Sequence, residues 1–198
     1  MKYGLIFAQL DMDPGVEPEF NDWYDTEHIP ERLAIPGFLT ARRAERAAPR
    51  PRYIALYDLE SLGVLEAEAY LCKQGDRRTP WTARMLRLTK SFSRRLYEQR
   101  VPGRDKVDAA HGWTVLRFLA NADRAAAEQH VTALRGDGLA ARLFEGREKA
   151  AGEWLVLVTA ADEPTARHVE AASALGRVEI YGPYVSPARD GKLGCRTL

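Results

Sequence analysis

Cysteine is nearly absent: Cys72 and Cys195 are the only two in 198 residues. Both are isolated, which argues against a disulfide framework or a cysteine metal cluster and makes the cytoplasm the default location. Long apolar runs are scarce too. The longest early one, Gly4-Leu5-Ile6-Phe7-Ala8-Gln9-Leu10, falls far short of the ~20 residues that span a bilayer. It follows a single lysine, lacks a small-residue cleavage site and runs into Asp11-Met12-Asp13-Pro14, so it reads as a strand and turn, not a signal peptide. No membrane association is expected. Net charge is only +1, which leaves no field to draw nucleic acid. Arginine pairs at Arg42-Arg43, Arg77-Arg78 and Arg94-Arg95 are interspersed with Glu45, Asp76 and Glu98, as on solvated strand edges and loops.

Familiar mechanism motifs are missing as well. There is no G-x-G-x-x-G, no Walker loop, no H-E-x-x-H and no nucleophile-elbow serine. Gly103, Gly136, Gly138 and Gly146 are too scattered to cradle a phosphate. His28, His111, His130 and His168 lie in separate elements, so spacing points to no metal centre, and no cofactor is expected.

What remains is a globular composition, 45% hydrophobic and 29% charged. Hydrophobic period separates strands from helices. Strands are expected over 2–10, 38–45, 53–59 and 92–99, with helices over 17–28, from a cap at Ser61 through Leu65–Tyr70, and after Thr79-Pro80. Ile29 precedes Pro30 and is pushed from the helical region, which predicts a helix end near His28. Pro36-Gly37 supplies a turn. After a linker over 101–108 the order repeats, with strands over 112–118, 139–144, 154–159 and 178–184 and helices over 124–135 and 163–175. The expected fold is therefore α+β: two tandem ferredoxin-like βαββαβ repeats, 1–102 and 103–198, packed sheet to sheet like a dimeric α/β-barrel. Aromatic and polar residues on the bare sheet faces would line an internal cavity.

The stretch Phe20-Asn21-Asp22-Trp23-Tyr24-Asp25-Thr26-Glu27-His28-Ile29-Pro30, followed by Pro36-Gly37-Phe38, resembles the N-terminal signature of EthD-like dimeric α/β-barrel proteins. "YIALYDLES" and "TPWTARM" are similar to the third strand and second helix start of that group, and the resemblance covers about residues 1–100. It implies the fold more firmly than an activity. Members and fold relatives include cofactor-free monooxygenases, isomerases, dehydratases or decarboxylases of aromatic and polyketide compounds, haem proteins, and proteins with no assigned reaction. It also implies a site in the barrel near the end of the first helix, close to His28 with Tyr24 one turn earlier. The second half lacks a WYxxEH.

Residue chemistry points the same way. Tyr24 and His28 are four apart and share a helix face, as do Trp23 and Glu27. At a helix C-terminus beside Asp25, Glu27 and Glu31, His28 is expected to favour its protonated form and to exchange a proton near neutral pH. The alternative is that His28 caps the helix carbonyls and bonds a carboxylate. Gln9 is the lone polar residue of the first strand and faces either a lumen or solvent. Arg42 and Arg43 must point to opposite faces, one of them towards the cavity or the helix layer. Tyr57 shares a face with Tyr53 and Ala55. Trp81, at a helix start, reads first as packing.

The resulting expectation is a small cofactor-independent enzyme acting on an aromatic or polyketide-like carbonyl compound. His28 and Tyr24 would be catalytic, with Trp23, Glu27, Gln9, Arg42, Tyr57 and Trp81 contacting an aromatic or acidic substrate. Lyase or isomerase chemistry comes first and oxygenase chemistry next, with a homodimer as a further option. The alternative is a non-catalytic small-molecule binder or scaffold in which His28 is structural.

Overall fold

Alternation along the strands sorts their side chains into two layers, and pairing closes those strands into a barrel. The computed structural model describes residues 2–101, 112–120, 122–171 and 176–185. Residues 102–108 of the expected linker, His111 and Cys195 lie outside the described residues. The first half contributes β1 (Gly4–Asp11), β2 (Phe38–Glu45), β3 (Tyr53–Leu59) and β4 (Ser91–Val101). The second contributes β5 (Trp113–Ala120), β6 (Ala140–Arg147), β7 (Glu153–Ala160) and β8 (Arg177–Pro183). Every pairing is antiparallel, and the order β1-β3-β2-β8-β5-β7-β6-β4 forms a closed barrel. The two halves meet along a longer seam, from Leu96 opposite Arg147 to Val101 opposite Leu143, and a short one at Ala44–Pro183 and Glu45–Gly182.

The lumen is a packed core, which corrects the expectation of an internal cavity. Leu5 and Phe7 meet Ile54, Leu56, Leu116, Phe118, Leu155 and Leu157 across both halves. An eight-stranded barrel is just wide enough for its own side chains to fill, and the gap beside Arg42 and Asp58 amounts to about 10 Å³. Polar residues in the lumen tie the halves together. Arg142 donates to Asp58 and to Gln99 at 2.6 Å each, and Thr40 donates to Asp58 at 2.8 Å. Towards the other end of β1, Gln9 donates to Glu179 at 2.9 Å, and Arg46 pairs with that carboxylate at 3.2 Å.

Helices cover the outer face. The second half uses α5 (Arg124–Gly136) and α6 (Glu163–Ala171), whose Ala127, Val131 and Val169 bury against Val115, Val156 and Val158. Each such buried valine contributes about 2 kcal/mol. The first half uses α1 (Glu17–Trp23), a π-helical turn over Tyr24–His28, and α2 (Ile29–Leu33), one continuous helical path.

The helix therefore does not end near His28. Pro30 lacks an amide, and in a regular helix its ring would meet the carbonyl four residues back. The π turn accommodates this by pairing the Ile29 amide with the Tyr24 carbonyl, five residues back, while Ile29 keeps helical angles of φ −63° and ψ −49°. The chain then turns at Gly37, whose φ of +91° suits glycine. Between 61 and 79 the expected helix from Ser61 is replaced by a 3₁₀ turn over Leu62–Glu66 and the short α3 (Glu68–Leu71), with no bond from the Ser61 side chain. Helix α4 (Pro80–Leu88) starts as its sequence implies: Thr79 accepts from the Thr82 amide at 3.0 Å and Pro80 occupies the first helical position.

Candidate active site

A cavity of about 170 Å³ lies between the outer face of the first half-sheet and its helices. Ile6, Ala8 and Leu10 of β1 form the strand side, together with Tyr57 of β3. Trp23, Tyr24, His28 and Arg32 descend from the helical path, and Arg94 of β4 and Arg78 complete the wall. The site is thus outside the barrel, near the first helix, and not within the lumen.

The π turn aims its aromatic groups. In a regular helix of 3.6 residues per turn, side chains five apart diverge. Here the Trp23 and His28 rings meet at a tilt with centroids 4.5 Å apart, closer than Tyr24 and His28 at 4.9 Å. π turns of this kind occur often at functional sites. Tyr57 stands edge-on to His28 at 6.3 Å and donates its hydroxyl to Tyr24 at 3.3 Å. Burial raises the pKa of both phenols, that of Tyr57 strongly, so both remain protonated donors.

His28 is a neutral imidazole. Burial, then the positive charges of Arg32 and Arg43, hold it well below its ordinary value. This reverses the expectation of a protonated imidazole at a helix end. The helix continues past it, so no free carbonyl end is present, and the neighbouring charges that count are cationic. The capping alternative also loses its contacts: Nδ1 is buried without a hydrogen-bond partner. Arg43, buried against the helix layer, donates to Asp25 at 3.0 Å and Asn21 at 2.6 Å and lies 3.8 Å over the Tyr184 ring.

The structure gathers Trp23, Tyr24, His28 and Tyr57 and sends the other candidates elsewhere. Glu27 accepts from Thr79 at 2.5 Å and from Thr82 at 3.1 Å, while Trp23 donates to the same Thr82 hydroxyl at 3.1 Å. That chain fastens the π turn to the start of α4. Trp81 packs, half-buried, against the helix-side core. Gln9 and Arg42 face the lumen, Arg42 donating to Thr159 at 3.1 Å.

Arg32 was missed. It is 6% exposed, and its Nη1 is buried with no partner. It stands four residues after His28, a helical spacing that becomes visible only once the helix is carried through Pro30. Among the described residues no group of three or more His, Cys, Asp or Glu side chains could hold a metal ion, and no helix is long and apolar enough to cross a membrane.

No family model and no curated protein matches the chain. Solved structures do. A candidate monooxygenase from Fusobacterium nucleatum subsp. nucleatum superposes with a TM-score of 0.61 at 8% identity, covering 93% of each chain. An anthrone oxidase-like protein gives 0.59 at 10% identity, over 91% of this chain and 89% of that one. A candidate chlorite dismutase gives 0.62 at 10% identity, over 94% and 96%. At such identities the likeness is one of fold, the closed eight-stranded antiparallel barrel with outer helices described above. Haem, which the EthD-like resemblance associates with some fold relatives, does not fit the cavity described here: 170 Å³ is close to the ~150 Å³ that holds one benzene ring and far from a tetrapyrrole.

Proposed function

We propose that the protein is a small enzyme of the monooxygenase type, working without a bound cofactor on an aromatic or polyketide-like carbonyl compound, with His28 taking the proton. The two halves, ordered β4-β1-β3-β2 and β8-β5-β7-β6, are read as tandem ferredoxin-like repeats standing in for two subunits, and the EthD-like affiliation of residues 1–100 belongs to the same proposal. The observation that carries it is the neutral His28 ring, its Nδ1 unpartnered, beside two phenols and the unpartnered Nη1 of Arg32.

A neutral imidazole is ready to accept a proton at neutral pH. Loss of that proton from an activated C–H leaves an electron pair that moves onto the adjacent carbonyl oxygen. Tyr24 donates a hydrogen bond to this enolate, and Arg32 supplies the positive charge, both from buried side chains. In the oxygenase outcome dioxygen oxidises the carbanion carbon, converting CH₂ to C=O with release of one water. In the isomerase outcome the proton returns at another carbon. An anionic intermediate beside Arg32 offsets the charge that depresses His28, which strengthens the base once the proton begins to move.

The test is solvent deuterium exchange at the activated carbon of a hydroxyaryl ketone, run alongside oxygen uptake. The expected result is a fall of about a hundredfold or more in His28→Ala, with an unchanged circular dichroism spectrum. Equal exchange in the folded variant would overturn the proposal.

A further inference from the structure

The charge of the cavity is one-sided. Arg32, Arg78 and Arg94 line it, and among the described residues no carboxylate does. The Arg32 Nη2 reaches only Glu31, at 3.4 Å, and Nη1 reaches nothing. No carboxylate among the described residues pairs with Arg78 or Arg94. The guanidinium carbons of Arg32 and Arg94 stand 5.4 Å and 6.0 Å from the Tyr70 ring, which gathers both cations at one wall. Arg32 has Glu31 as a counter-charge, but its buried Nη1 is left without an acceptor, and an unmet buried donor is costly. Protein carboxylates elsewhere neutralise their arginines, as Asp58 does for Arg142 at 2.6 Å. In this cavity the open Nη1 of Arg32 and the guanidinium of Arg94 are placed to take an anionic group brought by a ligand.

Much of the remaining lining is apolar. Ile6, Leu10, Trp23 and Tyr57 offer aliphatic and aromatic surface, and the volume of about 170 Å³ suits one substituted ring. We infer that the ligand is a single-ring aromatic acid, its carboxylate docked on Arg32 and Arg94 and its ring laid against Trp23. This deepens the reading of the cavity as an active site and rests on it for the role of His28, but the recognition of the acid is separable from the chemistry. A planar guanidinium presents paired donors to a carboxylate, a match that a neutral amide does not make.

Calorimetric titration of 4-hydroxybenzoate, 4-hydroxybenzamide and 2-naphthoate tests it. The benzoate is expected to bind at least about tenfold more tightly than the amide, as for a charge-assisted pair, and more tightly than the two-ring acid. Arg94→Gln, on a partly exposed strand site, is expected to weaken the benzoate about tenfold and leave the amide unchanged; Arg32→Gln, with folding checked by circular dichroism, is expected to do the same. Equal affinity for acid and amide, tighter binding of the naphthoate, an unaltered Arg94→Gln, or no binding of the benzoate at millimolar concentration would each overturn the inference. The two readings fail differently. Benzoate that binds wild type and His28→Ala alike, with no exchange by wild type on any ketone tested, sinks the proton-transfer proposal and leaves the acid site standing.

Discussion

The amide of Ile29 donates to the carbonyl of Tyr24, five residues back, and this one bond places His28 under the Trp23 ring. The turn widens because Pro30 cannot complete a regular one. The same local irregularity thus carries the helix on to Arg32 and assembles the cavity.

Deleting Thr26, an exposed residue of the π turn, would restore a regular helix and set the Pro30 ring against a carbonyl. A loss of about 3 kcal/mol is expected in urea unfolding. Combining the deletion with Pro30→Ala should recover most of that stability without recovering 4-hydroxybenzoate binding, because Trp23 no longer covers His28. Additive effects of the two changes would show that the π turn does not answer to the proline.

Glu27 acts as a clamp between the π turn and α4. Glu27→Ala strips two threonine hydroxyls of their acceptor and loosens the bond from Trp23 to Thr82. The expected cost is about 1–3 kcal/mol of stability, with little change in the affinity of the remaining folded protein for 4-hydroxybenzoate. A large loss of affinity at unchanged stability would instead make Glu27 a ligand residue.

His28 sets a sign on the pH dependence of stability. Its folded value is depressed by burial and by Arg32 and Arg43, whereas in the unfolded chain it titrates near 6.5. Above about pH 6.5 both states are neutral there and His28 contributes nothing. Below that, the unfolded state binds the proton first, so stability falls by up to ~1.4 kcal/mol per pH unit until the folded value is reached. His130, lowered by burial and Arg117, adds a slope of the same sign. Urea titrations at pH 7 and pH 5 should therefore show a smaller drop for His28→Asn than for wild type. Parallel drops would mean that His28 is not held neutral.

Local chemistry was legible wherever a neighbour in sequence decides it. Strand alternation separates Arg42 from Arg43 and puts Tyr53, Ala55 and Tyr57 on one face, and the structure places all five accordingly. Thr79-Pro80 opens a helix and Pro36-Gly37 turns the chain for the same reason. The proline rule misled at Ile29 because it weighs only regular helical and extended states, and the π turn is a third solution. The threonine partners of Glu27 lie 52 and 55 residues away, beyond what its local sequence can show.

By itself the sequence determined the alternation of strands and helices, the aromatic density of residues 20–28 and the absence of a dominant net charge, since these depend on period and composition. Tertiary structure decided three further things: that the lumen fills, that the cavity opens beneath the helices instead, and that His28 is surrounded by cations and not by its own acidic neighbours. The reason is physical. Barrel width and desolvation are properties of residues far apart in the chain, and the carboxylates beside His28 in sequence are turned by the helix towards other partners.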